Sequence, residues 1–177
     1  MPESLRAKAA WTLISLALLA VACAPRARFP SRPAKKPATA KELASVPVTV
    51  LPARETPPQD AAEVAEMAAR VAKALRARGF NVSDQPARHL DLELTVGLEP
   101  VVPGASAASS PLQWAAVLTT DGFFVDWASA EVVAAEGTGP ERRGALAAAL
   151  AEGIAGCDGL ADYYRYGGVP GQAMFGN

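Results

Sequence analysis

The sequence predicts an α+β domain with a single sheet of about five strands and two helices packed on one face. Three observations predict it. Leucine and valine alternate with polar residues over 90–99, which is typical of a strand with one buried face. Apolar residues recur at helical spacing over 60–79 and 138–156. Between two strand-like runs stands Asp121-Gly122, a strong signal for a two-residue hairpin turn.

The first strand and the first helix are predicted close together. The run 46–51 is rich in β-branched residues, and Pro52 closes it. Asp60 and Glu63 have the spacing of a capping box at a helix start, and Gly79 is a favourable stop. The helix has one apolar stripe, formed by Val64, Met67, Ala68, Val71 and Leu75. It therefore buries a single face.

Four strands follow, at 80–83, 90–98, 112–120 and 123–134. A two-residue turn at 121–122 pairs Leu118 with Val125 and Ala116 with Trp127. That register predicts five residues on the core side of the sheet: Trp114, Ala116, Leu118, Val125 and Trp127.

A second helix is predicted from Thr138 to Gly156. Thr138 is a capping residue, Pro140 suits the first helical position, and Glu141 completes the starting signal. Leu146, Ala147, Leu150 and Ile154 form its apolar stripe. The predicted order is therefore β-α-β-β-β-β-α. Because each element has one apolar side, we expect both helices on the same face of the sheet.

Residues 1–22 have the pattern of a signal peptide. Arg6 and Lys8 precede an uncharged apolar run over 9–22. As a helix this run reaches about 21 Å, short of the ~30 Å hydrocarbon core, so a cleaved export signal fits better than a membrane span. The run ends at Ala20-Val21-Ala22-Cys23, which resembles the lipobox of bacterial lipoproteins.

The lipobox resemblance implies that Cys23 becomes the first residue of the mature protein and carries fatty acyl chains such as palmitate. It also implies an outer-membrane lipoprotein facing the periplasm, because Ala24 stands where inner-membrane lipoproteins often have aspartate. The alternatives are an inner-membrane lipoprotein, or an ordinary signal peptide and a secreted protein. In the secreted case Cys23 and Cys157 could form a disulfide.

Charge and composition divide the mature chain into three parts. Residues 23–45 are predicted to be a basic, Pro-rich linker, with six basic side chains against one acidic. Residues 46–157 are the predicted domain, and 158–177 a Tyr- and Gly-rich tail. From 46 onward there are nine basic and sixteen acidic side chains. An acidic domain argues against nucleic-acid binding, whereas the basic linker suits anionic headgroups.

The stretch V-P-V-T-V-L-P-A-R-E, a helix ending A-L-R-A-R-G-F-N-V, and the strand at 90–98 follow a common order. This order resembles the small α+β domains of periplasmic assembly lipoproteins. Examples are the amino-terminal domain of the Tol-Pal translocation protein, the curli-secretion lipoprotein and the activators of penicillin-binding proteins. The resemblance implies an assembly or accessory role in the envelope and identifies no site residue.

The sequence predicts a non-enzymatic lipoprotein that binds another envelope protein. Tyrosine offers a large contact area at low ordering cost, and the tail provides Tyr163, Tyr164 and Tyr166. The alternative is that two of these tyrosines pack back over the second helix. An exposed sheet edge beginning at Val46 is a second contact surface. We predict no catalytic, cofactor or metal site.

Two alternative functions remain open. One is a small envelope hydrolase or metal-dependent enzyme, since His89, Asp91 and Glu93 share one strand face. Against it, a polar strand face is required wherever a sheet meets water. The other is a carrier of an apolar ligand between the helices and the sheet, suggested by the many small residues in the helices.

Overall fold

The computed structural model describes residues 26–28, 34–85, 91–98, 113–131 and 139–166. The predicted signal peptide, Cys23 and His89 lie outside these residues. The strands are β1 (Arg26–Arg28), β2 (Val48–Pro52), β3 (Val82–Ser83), β4 (Leu92–Leu98), β5 (Gln113–Thr120) and β6 (Phe123–Glu131). The helices are α1 (Ala40–Leu43), α2 (Ala61–Ala77), α3 (Pro140–Ala155) and α4 (Asp158–Tyr166).

All six strands form one sheet, in the order β1-β6-β5-β4-β2-β3. Strand β2 runs parallel to both neighbours, pairing Val48 with Leu92 on one side and with Val82 on the other. The remaining pairs are antiparallel. The predicted α+β class with a single sheet is confirmed, and so is the order β-α-β-β-β-β-α from β2 to α3.

Helices α2 and α3 lie side by side on one face of the sheet. Near their first turns the Arg143 guanidinium contacts the Glu66 carboxylate at 2.9 Å, and further on Arg78 lies 3.8 Å from Glu152. The two helices are therefore parallel. Hydrogen bonding from Arg70, and the charge of Arg143, lower the pKa of Glu66 below its ordinary value of 4.5. The stripe predicted for α2 is buried throughout: Val64, Met67, Ala68, Val71 and Leu75.

The domain has two distinct ends, because β2, β4 and β6 run in one direction and α2 and α3 run in the other. We call the end where these three strands finish and the two helices begin the β6–α3 end. The other is the hairpin end, where the 121–122 turn and the last turns of α2 and α3 lie. Helix α1 also lies at the hairpin end, because the Asn81 N–H, just after α2, donates to the Leu43 carbonyl at 3.3 Å.

The β5–β6 hairpin has the predicted turn but a different register. Asp121 and Gly122 have φ values of 48° and 78°, as a two-residue turn of this type requires. A bulge interrupts the ladder after the first two pairs, so Leu118 pairs with Asp126 and Val117 with Trp127. The predicted pairs Leu118–Val125 and Ala116–Trp127 are wrong, because β6 contains one residue more than β5 at this point.

Part of the predicted linker belongs to the folded domain. Strand β1 pairs with β6 at the edge of the sheet. Thr39 and Glu42 form a reciprocal capping box, with N–H···O distances of 2.6 and 3.3 Å, and start α1. Leu43 is buried in the core. The prolines and basic residues of 23–45 favour a linker, whereas the T-A-K-E spacing of 39–42 provides the capping box that starts α1.

Part of the predicted tail is the helix α4, attached through a buried carboxylate. The Asp126 side chain is fully buried, and its two oxygens accept hydrogen bonds from the N–H groups of Trp127 and Gly159, both at 2.9 Å. Leu160, Ala161 and Tyr163 bury one side of α4. Cys157, between α3 and α4, is also fully buried, with its sulfur 3.0 Å from the Gly153 carbonyl oxygen.

Two helix starts differ from the predicted capping. Asp60 precedes α2, but its side chain makes no capping hydrogen bond. Helix α3 begins at Pro140 with Gly139 as the capping residue, while Thr138 lies outside the described residues. Both helices start as predicted to within a residue or two, so burial of their apolar stripes outweighs these caps.

Replacing Gly159 with alanine should destabilise the domain. A Cβ at this position would lie 2.2 Å from the Val125 carbonyl oxygen and 2.8 Å from Asp126 Oδ2, so α4 must move away from β6. We expect a loss of about 1–3 kcal/mol in the free energy of unfolding, measured by chemical denaturation. The control is Gly144→Ala in α3, where a Cβ meets nothing within 4 Å and should stabilise by about 0.5–1 kcal/mol. Equal effects of the two substitutions would contradict the close contact.

Candidate functional site

The sheet face turned away from the helices carries a mixed apolar and polar surface. We call it the open face and define it by Glu93 and Thr95 on β4, Val117 and Thr119 on β5, and Phe124 and Trp127 on β6. The pairings Thr119–Phe124 and Val117–Trp127 place these four side chains on one side of the hairpin. Their strand neighbours Leu118 and Ala128 are fully buried beneath the helices.

The bulge in β6 brings Trp127 to the open face. The uninterrupted register would have placed Trp127 with Trp114 in the core. Because one extra residue stands in β6, Asp126 takes the inward position and Trp127 the outward one. Trp114 is buried, whereas Trp127 is only partly buried. The sequence prediction missed this surface, and no single residue of the hairpin indicates the bulge.

Two phenylalanines stand at the hairpin end of β6. Phe123 and Phe124 are each 54% exposed, among the few large apolar side chains of the described residues that face water. Adjacent exposed aromatics at the end of a hairpin are costly to leave in water and are typical of contact surfaces. We call Phe123 and Phe124 the hairpin aromatics. Phe124 belongs to the open face, opposite Thr119, and Phe123 pairs with Thr120 beside the turn.

Two shallow cavities flank β2. One of about 290 Å³ lies beside the open face and is lined by Leu51, Pro52, Ala53, Arg54, Glu55, Glu93 and Thr95. The other, of about 260 Å³, lies along the β3 side of β2.

Strand β3 pairs only with Val48 and Thr49. The exposed edge predicted to begin at Val46 is therefore shorter. Within the described residues, only Val50–Pro52 of β2 lack a partner strand on the β3 side.

The three predicted contact tyrosines have different surroundings. Tyr163 is buried in the core, and its ring meets that of Tyr164 edge-on with centroids 6.0 Å apart. The Tyr164 hydroxyl is buried with no hydrogen-bond partner among the described residues, and burial, with a smaller effect of Tyr163, raises the pKa of that hydroxyl. Only Tyr166 is well exposed, at 78%. A partner can therefore contact Tyr166 while α4 stays folded, whereas contact with the Tyr163 ring requires α4 to move or unfold.

The residues of the enzyme alternative are only partly described. Asp91 directly precedes β4 and Glu93 is its second residue, and both are partly buried. Glu93 also lines the 290 Å³ cavity. The Thr120 hydroxyl donates to the Asp91 carbonyl oxygen at 3.1 Å. His89 lies outside the described residues. In the described ranges, no three potential metal ligands come together.

Comparisons with known proteins give structural matches alone. The sequence matches no protein family and no curated protein. Two solved structures of the PelC dodecamer from Paraburkholderia phytofirmans, one of them a single-substitution variant, have 20 and 21% identity and a TM-score of 0.41. Each match covers 77% of this chain and 97% of the PelC chain. At this level of similarity the matches identify no function.

None of the described helices is both long and apolar enough to cross a membrane.

The different surroundings of the tyrosines predict different effects of truncation. Tyr163→Ala removes a buried aromatic ring and should cost about 3–5 kcal/mol of stability. Tyr166→Ala changes an exposed position and should stay within about 0.5 kcal/mol of the unsubstituted protein. Thermal or urea unfolding of both variants measures this. A neutral Tyr163→Ala variant would show that α4 does not pack as described.

Proposed function

We propose that this protein is a non-enzymatic, lipid-anchored protein of the bacterial cell envelope whose domain binds another envelope protein. The observation that carries the proposal is Ala20-Val21-Ala22-Cys23 at the end of an apolar run, a few residues before the first strand. Several acyl chains on Cys23 anchor a protein firmly, whereas one chain of ordinary length binds only marginally. The proposed location is the periplasmic side of the outer membrane.

The hairpin aromatics and the open face support the binding role. Phe124 supplies exposed apolar area at the hairpin end of the open face, and Trp127, on the same face, continues it along β6. Phe123 adds exposed apolar area at the turn. Thr95, Thr119 and Glu93 place polar groups along the β4–β5 side of this area. An apolar centre with a polar margin is the usual composition of a protein-binding surface. This surface replaces the tyrosine cluster as the proposed contact. Of the three tyrosines, Tyr166 alone is well exposed, and it lies on α4, outside the open face.

The lipid anchor is tested by Cys23→Ser. The substitution removes the sulfur that carries the proposed acyl chains, so the protein should leave the membrane fraction and appear in the soluble periplasmic fraction. Intact mass spectrometry of the unsubstituted protein should show a chain that begins at Cys23 and carries acyl groups. A mature chain that begins at another residue, or a Cys23→Ser variant still bound to membranes, would refute the anchor.

The binding surface is tested by photo-crosslinking in cells. A photoreactive phenylalanine analogue is placed at position 124, with the same analogue at position 73 as a matched control. Lys73 is also exposed but lies on α2, on the opposite side of the sheet. We expect a discrete protein adduct from position 124 and none from position 73. Adducts from both positions, or from neither, would contradict a specific protein contact at the hairpin.

A further inference from the structure

Strand β1 fixes where the chain enters the domain. It runs antiparallel to β6, pairing Arg26 with Glu131, Ala27 with Ala130 and Arg28 with Ser129. Glu131 is the last residue of β6, so Arg26 lies at the β6–α3 end and β1 runs from there toward the hairpin end. The residues before Arg26 therefore join the domain at its β6–α3 end.

Only a short piece of chain separates this point from Cys23. Three Cα–Cα steps of 3.8 Å connect Cys23 to Arg26, which limits their separation to about 11 Å. A linker extending to residue 45 would instead reach about 60 Å. The headgroup layer on each side of a bilayer is itself about 5–7 Å thick. A lipidated Cys23 therefore leaves almost no space between the lipid and the end of the sheet.

We infer that the β6–α3 end of the domain rests directly on the phospholipid headgroups and that the hairpin end points away from the membrane. This inference depends on the proposed acylation of Cys23. The exposed residues at the β6–α3 end include Arg54 and Glu55 after β2, and Gly139 and Glu141 at the start of α3. Polar and charged groups of both signs suit contact with headgroups and exclude insertion into the acyl chains.

Two basic residues of the predicted linker, Lys35 and Lys36, lie away from the lipid. Ala34 donates its N–H to the carbonyl of Gly156, at the end of α3, at 2.9 Å. The Arg165 guanidinium of α4 contacts the carbonyls of Lys36 and Pro37. These contacts place the 34–37 segment at the hairpin end, away from the lipid. Lys35 and Lys36 then add no electrostatic attraction to anionic headgroups, whereas Arg26 lies at the lipid end of the domain.

The length of the domain makes this orientation measurable. Helix α3 has 16 residues and so spans about 24 Å between the two ends. Two single-cysteine sites report them: Glu141→Cys in the first turn of α3 and Lys41→Cys in α1 at the hairpin end. Both side chains are exposed. The unsubstituted protein measures residual labelling, which should be small because Cys157 is fully buried and Cys23 is acylated.

The experiment uses the full lipidated chain, labelled with an environment-insensitive fluorophore. The protein is reconstituted into vesicles of phosphatidylethanolamine and phosphatidylglycerol that contain lipids with a nitroxide on the headgroup. A nitroxide quenches only at short range. We expect most of the fluorescence to be lost at position 141 and most of it to be retained at position 41. Equal quenching at the two positions, or stronger quenching at position 41, would overturn the inference.

A variant with a longer tether tests the orientation without changing any residue of the folded domain. Inserting a twenty-residue Gly/Ser segment between Pro25 and Arg26 leaves every described contact intact and adds about 25 Å of mean reach. Quenching at position 141 should then fall while the protein stays bound to the vesicles. Unchanged quenching would mean that the short tether does not set the orientation.

The vesicle assay also separates the two proposals. Protein that stays attached but is quenched equally at positions 141 and 41 contradicts the orientation alone. Protein that lacks acyl chains or leaves the vesicles contradicts the proposed anchor, and the orientation with it.

Discussion

The hydrogen bonds of the Asp126 carboxylate join the hairpin to α4. A buried carboxylate is tolerated only where donors compensate for its lost hydration. Here the Trp127 and Gly159 N–H groups supply them. Gly159 lies in the first turn of α4, where free N–H groups and the helix dipole favour a negative charge. The absence of a Cβ at Gly159 lets the helix approach β6 closely enough to make this contact.

The same bulge that turns Asp126 inward turns Trp127 outward. One additional residue in β6 therefore has two consequences, one on each side of the sheet. On the helical face it supplies the attachment for α4, which in turn buries Tyr163 and Leu160. On the open face it places an indole near Phe124. Stability and the proposed binding surface thus depend on one local feature, so removing the bulge would alter both together.

The sequence predicted the elements that have a strong apolar periodicity or that are specified by neighbouring residues in the chain. Helix α2 and strand β4 follow from apolar periodicity, and the hairpin turn follows from the Asp121-Gly122 pair. The bulge could not be predicted, because neither Val125 nor Asp126 is a residue type that indicates one. A one-residue shift exchanges the two faces of the strand while the alternation in the sequence stays the same. Strand β1 depends on pairing with a strand about a hundred residues away. Helix α4 was not predicted, because the glycines of 158–177 indicate irregular chain, whereas Leu160, Ala161 and Tyr163 bury one side of a helix.

The direction of β6 connects the proposed anchor with the proposed binding surface. The strand begins at Phe123 and ends at Glu131, beside Arg26. Nine residues of extended chain span about 30 Å, so the hairpin aromatics lie about that far from the point where the tether joins the sheet. Aromatic side chains near the headgroups could be explained by lipid contact. In the proposed orientation, side chains at the opposite end are too far from the headgroups to contact the membrane. Their exposure then favours a partner that is itself a protein and that meets the domain away from the lipid surface.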